Sequence, residues 1–137
     1  LGCGAWENSV CLSQLYPDAL IIGLDYDFRA LRTAQGIRIL GDIQHIPFAG
    51  GQFDLILIRH PDVHRHPSSW QHALSASEDA LRIGGRLVIT VYSAAEYALI
   101  QKWRPPILTE CAVPIAALTA PDGVGRDRFV LLYAKGI

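Results

Sequence analysis

The chain has 137 residues, half of them apolar and 18% charged, with twelve basic and thirteen acidic side chains and a formal net charge of −1. That is a globular composition about the size of one domain, and not a disordered one. It gives no strong field for recruiting nucleic acid or an anionic membrane, and no apolar run approaches the roughly 18 residues of a membrane span.

In chain order, Leu1-Gly2-Cys3-Gly4 places two glycines one residue apart. Val10, Cys11, Leu12 and Leu15 form an apolar stripe that predicts a first helix ending before Pro17. The run from Leu20 to Leu24 predicts a strand covered on both faces, with Asp25 at its carboxyl tip. A second helix is predicted over 28–35, with Leu31 and Ala34 inward and Gly36 at its C-cap. Arg38 to Leu40 reads as a short strand running into Gly41-Asp42. Pro47, Gly50 and Gly51 mark a loop.

The clearest interior strand is 53–58, followed by a polar, histidine-rich loop from Arg59 to Ser69. Trp70, Ala73, Leu74, Ser77 and Leu81 recur at helical spacing, Gly84-Gly85 break the chain, and 87–91 is the next strand. A helix over 94–103 has Ala94 or Ala95, Leu99 and Trp103 as its apolar side and is closed by Pro105-Pro106. Residues 107–118 contain a strand, Asp122-Gly123 a turn, and 128–134 a final strand. The last two strands predict an antiparallel hairpin at the sheet edge. The fold class expected is α/β: a doubly wound, mostly parallel twisted sheet with helices on both faces and an antiparallel C-terminal edge hairpin. Residues 1–137 are read as one domain.

Cys3, Cys11 and Cys111 are odd in number and widely spaced, with no CxxC pair, which argues against a zinc knuckle or a dithiol redox site. Reduced thiols and the lack of a visible signal peptide lead to an expected cytoplasmic location. His60, Asp62, His64 and His66 supply metal-ligand types without a recognised spacing, so no metal site is expected. Histidines near carboxylates suit proton transfer near neutral pH, which makes His60 and His64 the candidate general bases. A solvated polar loop is the competing reading.

The ordered set Leu1-Gly2-Cys3-Gly4, Gly23-Leu24-Asp25, Gly41-Asp42-Ile43 before Ile46-Pro47-Phe48, Phe53-Asp54-Leu55-Ile56 and 81–88 resembles the class I S-adenosylmethionine-dependent methyltransferases over nearly the whole chain. The resemblance implies S-adenosyl-L-methionine as cofactor, with Gly2, Cys3 and Gly4 near it. Asp25 would hold the ribose hydroxyls, and Asp42 and Ile43 would frame the adenine. Tyr26 either lies against the adenosine or is an ordinary half-exposed aromatic, and Arg59 completes the expected cofactor-binding set. Asp27 is read as the cap of the helix beginning at Phe28. The family's first strand and the acid before Leu1 are absent from the sequence, so an N-terminally truncated chain is expected. Trp6 stands where a third small residue is common, and either covers the cofactor or blocks it.

The expected activity is methyl transfer to a small-molecule acceptor, without a clear nucleic-acid signal and with an undetermined oligomeric state. The alternatives are a non-catalytic methyltransferase-like scaffold or partner-binding domain, and an NAD-dependent oxidoreductase. The last fits poorly, because Glu7 follows Trp6 where a GxGxxG turn needs glycine.

Overall fold

The computed structural model describes residues 1–4, 9–33, 36–112 and 129–137. Trp6, Glu7, Ala34 and the Asp122-Gly123 turn lie outside them.

The amino-terminal part is a small parallel unit. Helix α1 (Ser9–Leu15) precedes strand β1 (Ile22–Asp25), helix α2 (Phe28–Thr33) and strand β2 (Ile37–Leu40). β1 and β2 pair in parallel, Ile22 opposite Ile37 and Asp25 opposite Leu40. Asp27 caps α2 as expected, its Oδ1 accepting the Arg29 N–H at 2.8 Å. Leu31 turns inward, and Gly36 takes the left-handed φ of +87° that a helix-ending glycine allows.

The rest forms a second sheet of strands β3 (Phe53–Arg59), β4 (Leu81–Val91), β5 (Leu108–Glu110) and β6 (Phe129–Lys135), in the order β3-β4-β6-β5. β3 and β4 are parallel; β6 runs antiparallel to both β4 and β5. The expected mostly parallel sheet with an antiparallel edge pair is therefore present, as two separate sheets among the described residues. Helix α3 (Pro67–Ala80) opens on Pro67, where a missing N–H costs nothing, and buries Trp70, Ala73, Leu74 and Ser77. Those positions, three and four apart, face β3 and β4, where Ile58, Leu87 and Ile89 are fully buried. Helix α4 (Ala94–Trp103) begins in a capping box: Glu96 N–H donates to Ser93 Oγ, and the Ser93 N–H to Glu96 Oε2.

Several expected details are corrected. Leu81 opens β4 instead of closing α3. Gly84-Gly85 lie inside β4, not at a break between elements. Phe53 faces Leu81 while Leu55 faces Arg86, so residues 82–85 bulge from the ladder. On α4 Leu99 and Trp103 pack against the core as expected, together with Tyr97, and Ile100 is fully buried; only Ala94 and Ala95 differ, being exposed. On α1, Val10, Cys11 and Leu15 are exposed, and Leu20 is exposed ahead of β1. Leu12, Leu15 and Leu20 instead border an open gap beside β1.

Candidate functional site

Asp25 ends β1 opposite Leu40, and Asp42 follows two residues beyond Leu40, so both acids sit at the carboxyl edge of one parallel pair. This is where open α/β sheets place ligands. The opening glycines are drawn to the same edge. Cys3 N–H donates to Leu24 O at 3.1 Å, and Gly4 N–H to Asp25 Oδ2 at 2.7 Å. Gly2 and Gly4 both have positive φ, +62° and +55°, which a side chain would strain. The other Asp25 oxygen, Oδ1, accepts the Asp27 N–H at 2.9 Å. Asp25 is buried, and its carboxylate ties the turn at Gly4 to the start of α2.

Asp42 is exposed. Gln44 N–H donates to its Oδ1 at 2.9 Å, and this bond, more than the nearby His45, lowers its pKa. Ile43 is half-buried against the core, and Tyr26 is 78% exposed. Burial raises the Cys3 thiol pKa, with the Asp25 charge adding to it.

Across the gap, the candidate base His60 follows β3. Its backbone is left-handed, φ +49°, and its N–H donates to Thr90 O at 2.9 Å. The ring stacks on Tyr92 at 3.8 Å and 12°. Buried Pro61 and Val63 anchor the loop beneath it. His64 and His66 are exposed. Among the described residues no three His, Cys, Asp or Glu side chains converge as metal ligands.

A cavity of about 1290 Å³ runs from this edge down between β1 and β3. Gly2, Cys3, Gly4, Arg59 and His60 line it, with Tyr92. Asp25, Tyr26, Asp42, Ile43 and His64 do not. The structure thus brings one part of the expected set into the cavity and leaves the other on the rim beyond Asp25. For adenosine the strand-end geometry is the better guide, because most of the cavity is the space between two sheets. Tyr92 was not singled out in the sequence. Its signal was position alone: it follows the last residue of a buried strand, at the edge where ligands bind.

The parallel α/β edge with its glycine turn and two strand-end carboxylates stands on a class I, Rossmann-like methyltransferase fold. A family model described as "Methyltransferase domain" matches residues 1–89, and the chain belongs to that family. Among relatives, a malonyl-[acyl-carrier protein] O-methyltransferase of Legionella pneumophila is 44% identical over 64 residues. That match covers 41% of this chain but 22% of the relative. Among solved structures, the PH0226 protein of Pyrococcus horikoshii has a TM-score of 0.78 at 14% identity, covering 98% of this chain and 79% of that one. The N-methyltransferase NodS of Bradyrhizobium japonicum, in complex with S-adenosyl-L-homocysteine, has a TM-score of 0.66 at 21% identity, covering 98% and 74%. At these identities the two structures bear on the fold alone. The family match leaves the oxidoreductase reading without support.

Proposed function

We propose that this chain, as a single methyltransferase-like domain, transfers a methyl group from S-adenosyl-L-methionine to a small-molecule acceptor. The observation that carries the reading is Asp25, buried at the strand end and bonded to the Gly4 turn. Each of its oxygens accepts one backbone N–H and keeps acceptor capacity for a vicinal hydroxyl. The residues present fit the cofactor: among the described residues a Cβ placed on Gly4 would meet nothing within 4 Å, so a ligand can approach the backbone there.

In this reading Gly2, Cys3 and Gly4 lie along the cofactor, Asp25 takes the ribose hydroxyls, and Asp42 and Ile43 flank the adenine. Tyr26 offers its exposed ring, and Arg59 lines the cavity. The cofactor supplies an already activated methyl group, so the protein's main task is alignment. His60, fixed by Tyr92 and the Thr90 carbonyl, is the better placed of the two histidines to take a proton. His64 lies outside the cavity. The near-neutral charge supports a small acceptor over a nucleic acid, whose binding is dominated by phosphate contacts. The Legionella relative's printed acceptor puts a carboxylate among the candidates to assay.

Calorimetry with S-adenosyl-L-methionine tests the proposal. Asp25→Ala should weaken binding about 10- to 100-fold, the equivalent of one or two hydrogen bonds to a charged group. Absence of binding at millimolar cofactor, by a chain shown folded by circular dichroism, would sink the proposal. One observation favours a second reading, a non-catalytic partner-binding domain: the cavity is lined by Gly2, Cys3 and Gly4 but not by Asp25 or Asp42. Turnover with any carboxylate, amine or thiol acceptor removes it.

A further inference from the structure

We propose that Glu96 is a positioning residue for His60, acting through Tyr92: its carboxylate fixes the Tyr92 backbone, and the Tyr92 ring sets the plane of the His60 imidazole at the cavity. Its bearing on catalysis rests on the methyltransferase reading, in which His60 takes a proton from the acceptor.

His60 is the one non-glycine residue with a left-handed backbone among the described residues, at φ +49°. Such backbones are sparsely populated and persist where the surroundings over-determine them. One restraint is the His60 N–H, donated to Thr90 O at 2.9 Å. It holds the backbone and leaves the side-chain torsions open. The other is the Tyr92 ring, stacked on the imidazole with centroids 3.8 Å apart and 12° between the planes. A near-parallel stack at that distance fixes the ring plane. Both restraints come from the carboxyl end of β4, where Thr90, which pairs with Arg59, precedes Tyr92 by two residues.

Tyr92 needs an anchor of its own. It lies just past Val91, the last residue of β4, and is 44% exposed. The hold comes from α4. Glu96 Oε2 accepts the Tyr92 N–H at 2.9 Å. The same oxygen accepts the Ser93 N–H at 2.9 Å and the Ser93 hydroxyl at 3.0 Å. A capping box accounts for the bonds to Ser93. It does not require the bond to Tyr92, which lies outside the helix. A charged acceptor makes that bond stronger than one between neutral groups. His60 and Tyr92 line the cavity and Glu96 does not, so Glu96 reaches the site through Tyr92.

Proton NMR of the 137-residue chain tests the geometry without cofactor or acceptor. The imidazole signals of His60, assigned by their loss in His60→Gln, should lie upfield of the other histidines, because they sit over the Tyr92 ring face. Tyr92→Phe should keep that displacement, and Tyr92→Leu should abolish it. Glu96→Ala should reduce it, and Glu96→Gln, which keeps an acceptor oxygen, should restore it. Ser93→Ala weakens the helix cap without removing the Tyr92 bond, and should leave the signals in place. Circular dichroism checks that each variant is folded. Glu96→Asp, one methylene shorter, replaces Glu96→Ala if the latter does not fold, and should likewise reduce the displacement. In turnover with carboxylate, amine and thiol acceptors, Tyr92→Leu and Glu96→Ala should lower kcat about 10- to 100-fold, with KM for S-adenosyl-L-methionine changed by less than about twofold. Unchanged signals in Tyr92→Leu or Glu96→Ala, equal displacement in Ser93→Ala and Glu96→Ala, or full kcat with displaced signals would each overturn the proposal. A wild-type chain that binds no cofactor sinks the methyltransferase reading alone, because the NMR comparison still decides whether Glu96 places His60.

Discussion

Asp25 and Tyr133 are both buried, yet their polar atoms fare differently. The Asp25 carboxylate gathers two backbone N–H groups. The Tyr133 hydroxyl, in the centre of β6, has no hydrogen-bond partner among the described residues. Burial pushes its pKa far up, and Glu110 adds to the shift. An unpaired buried hydroxyl is a liability, whereas the ring fills the core. Tyr133→Phe should therefore raise stability by about 1 kcal/mol, read as a higher urea midpoint at unchanged m-value. A fall would mean that the hydroxyl has a partner beyond the described residues. At this scale the sequence showed residue types and little more. Asp27 was legible as a cap because capping is local. The Asp25–Gly4 bond was not, since it joins residues 21 apart.

Among the elements, β4 departs most from its sequence pattern. Two adjacent glycines ordinarily end a strand, yet here they permit one to continue through a bulge. They do so by different means. Gly84 has φ +77° with open space around it, so its requirement is conformational. Gly85 has room for no side chain: a Cβ would lie 2.8 Å from Arg82 O and 2.9 Å from Phe53 O. Both neighbours are backbone and must move. Gly85→Ala should cost about 1–3 kcal/mol through overpacking, and more than Gly84→Ala, whose left-handed backbone alone costs about 1–2 kcal/mol. Thermal melts of the two variants decide it; equal losses would show that the close contact relaxes freely. The helices were easier to read. The 3.6-residue period placed α3 and α4 closely and turned Leu99 and Trp103 inward, but not that Ile100 would be the most buried residue of α4, because packing against α3 and β6 selects it.

For the whole molecule, closure depends on contacts between the end of the chain and its middle. Lys135, at the end of β6, reaches back to the α3–β4 corner. Its Nζ lies 3.1 Å from Glu78 Oε1 and donates to the carbonyls of Glu78 at 2.7 Å and Leu81 at 3.0 Å. Both side chains are largely buried, 14% and 17% exposed, so removing one strands the other. Lys135→Met should destabilise by about 3 kcal/mol, and adding Glu78→Gln should recover part of that loss. Additive losses in a double-mutant cycle would show that the pair acts through its surroundings instead.

The sequence by itself determined the order of elements, the parallel core with its antiparallel edge pair, and the placing of Asp25 and Asp42 at neighbouring strand tips. These follow from local periodicity, turn chemistry and the alternation of strand with helix, which short windows carry. Only the tertiary structure decided that Gly4 is bonded to Asp25, that His60 stacks on Tyr92, and that Lys135 reaches the α3–β4 corner. Each of these depends on residues distant in the chain meeting at a particular register, and no local pattern encodes that distance.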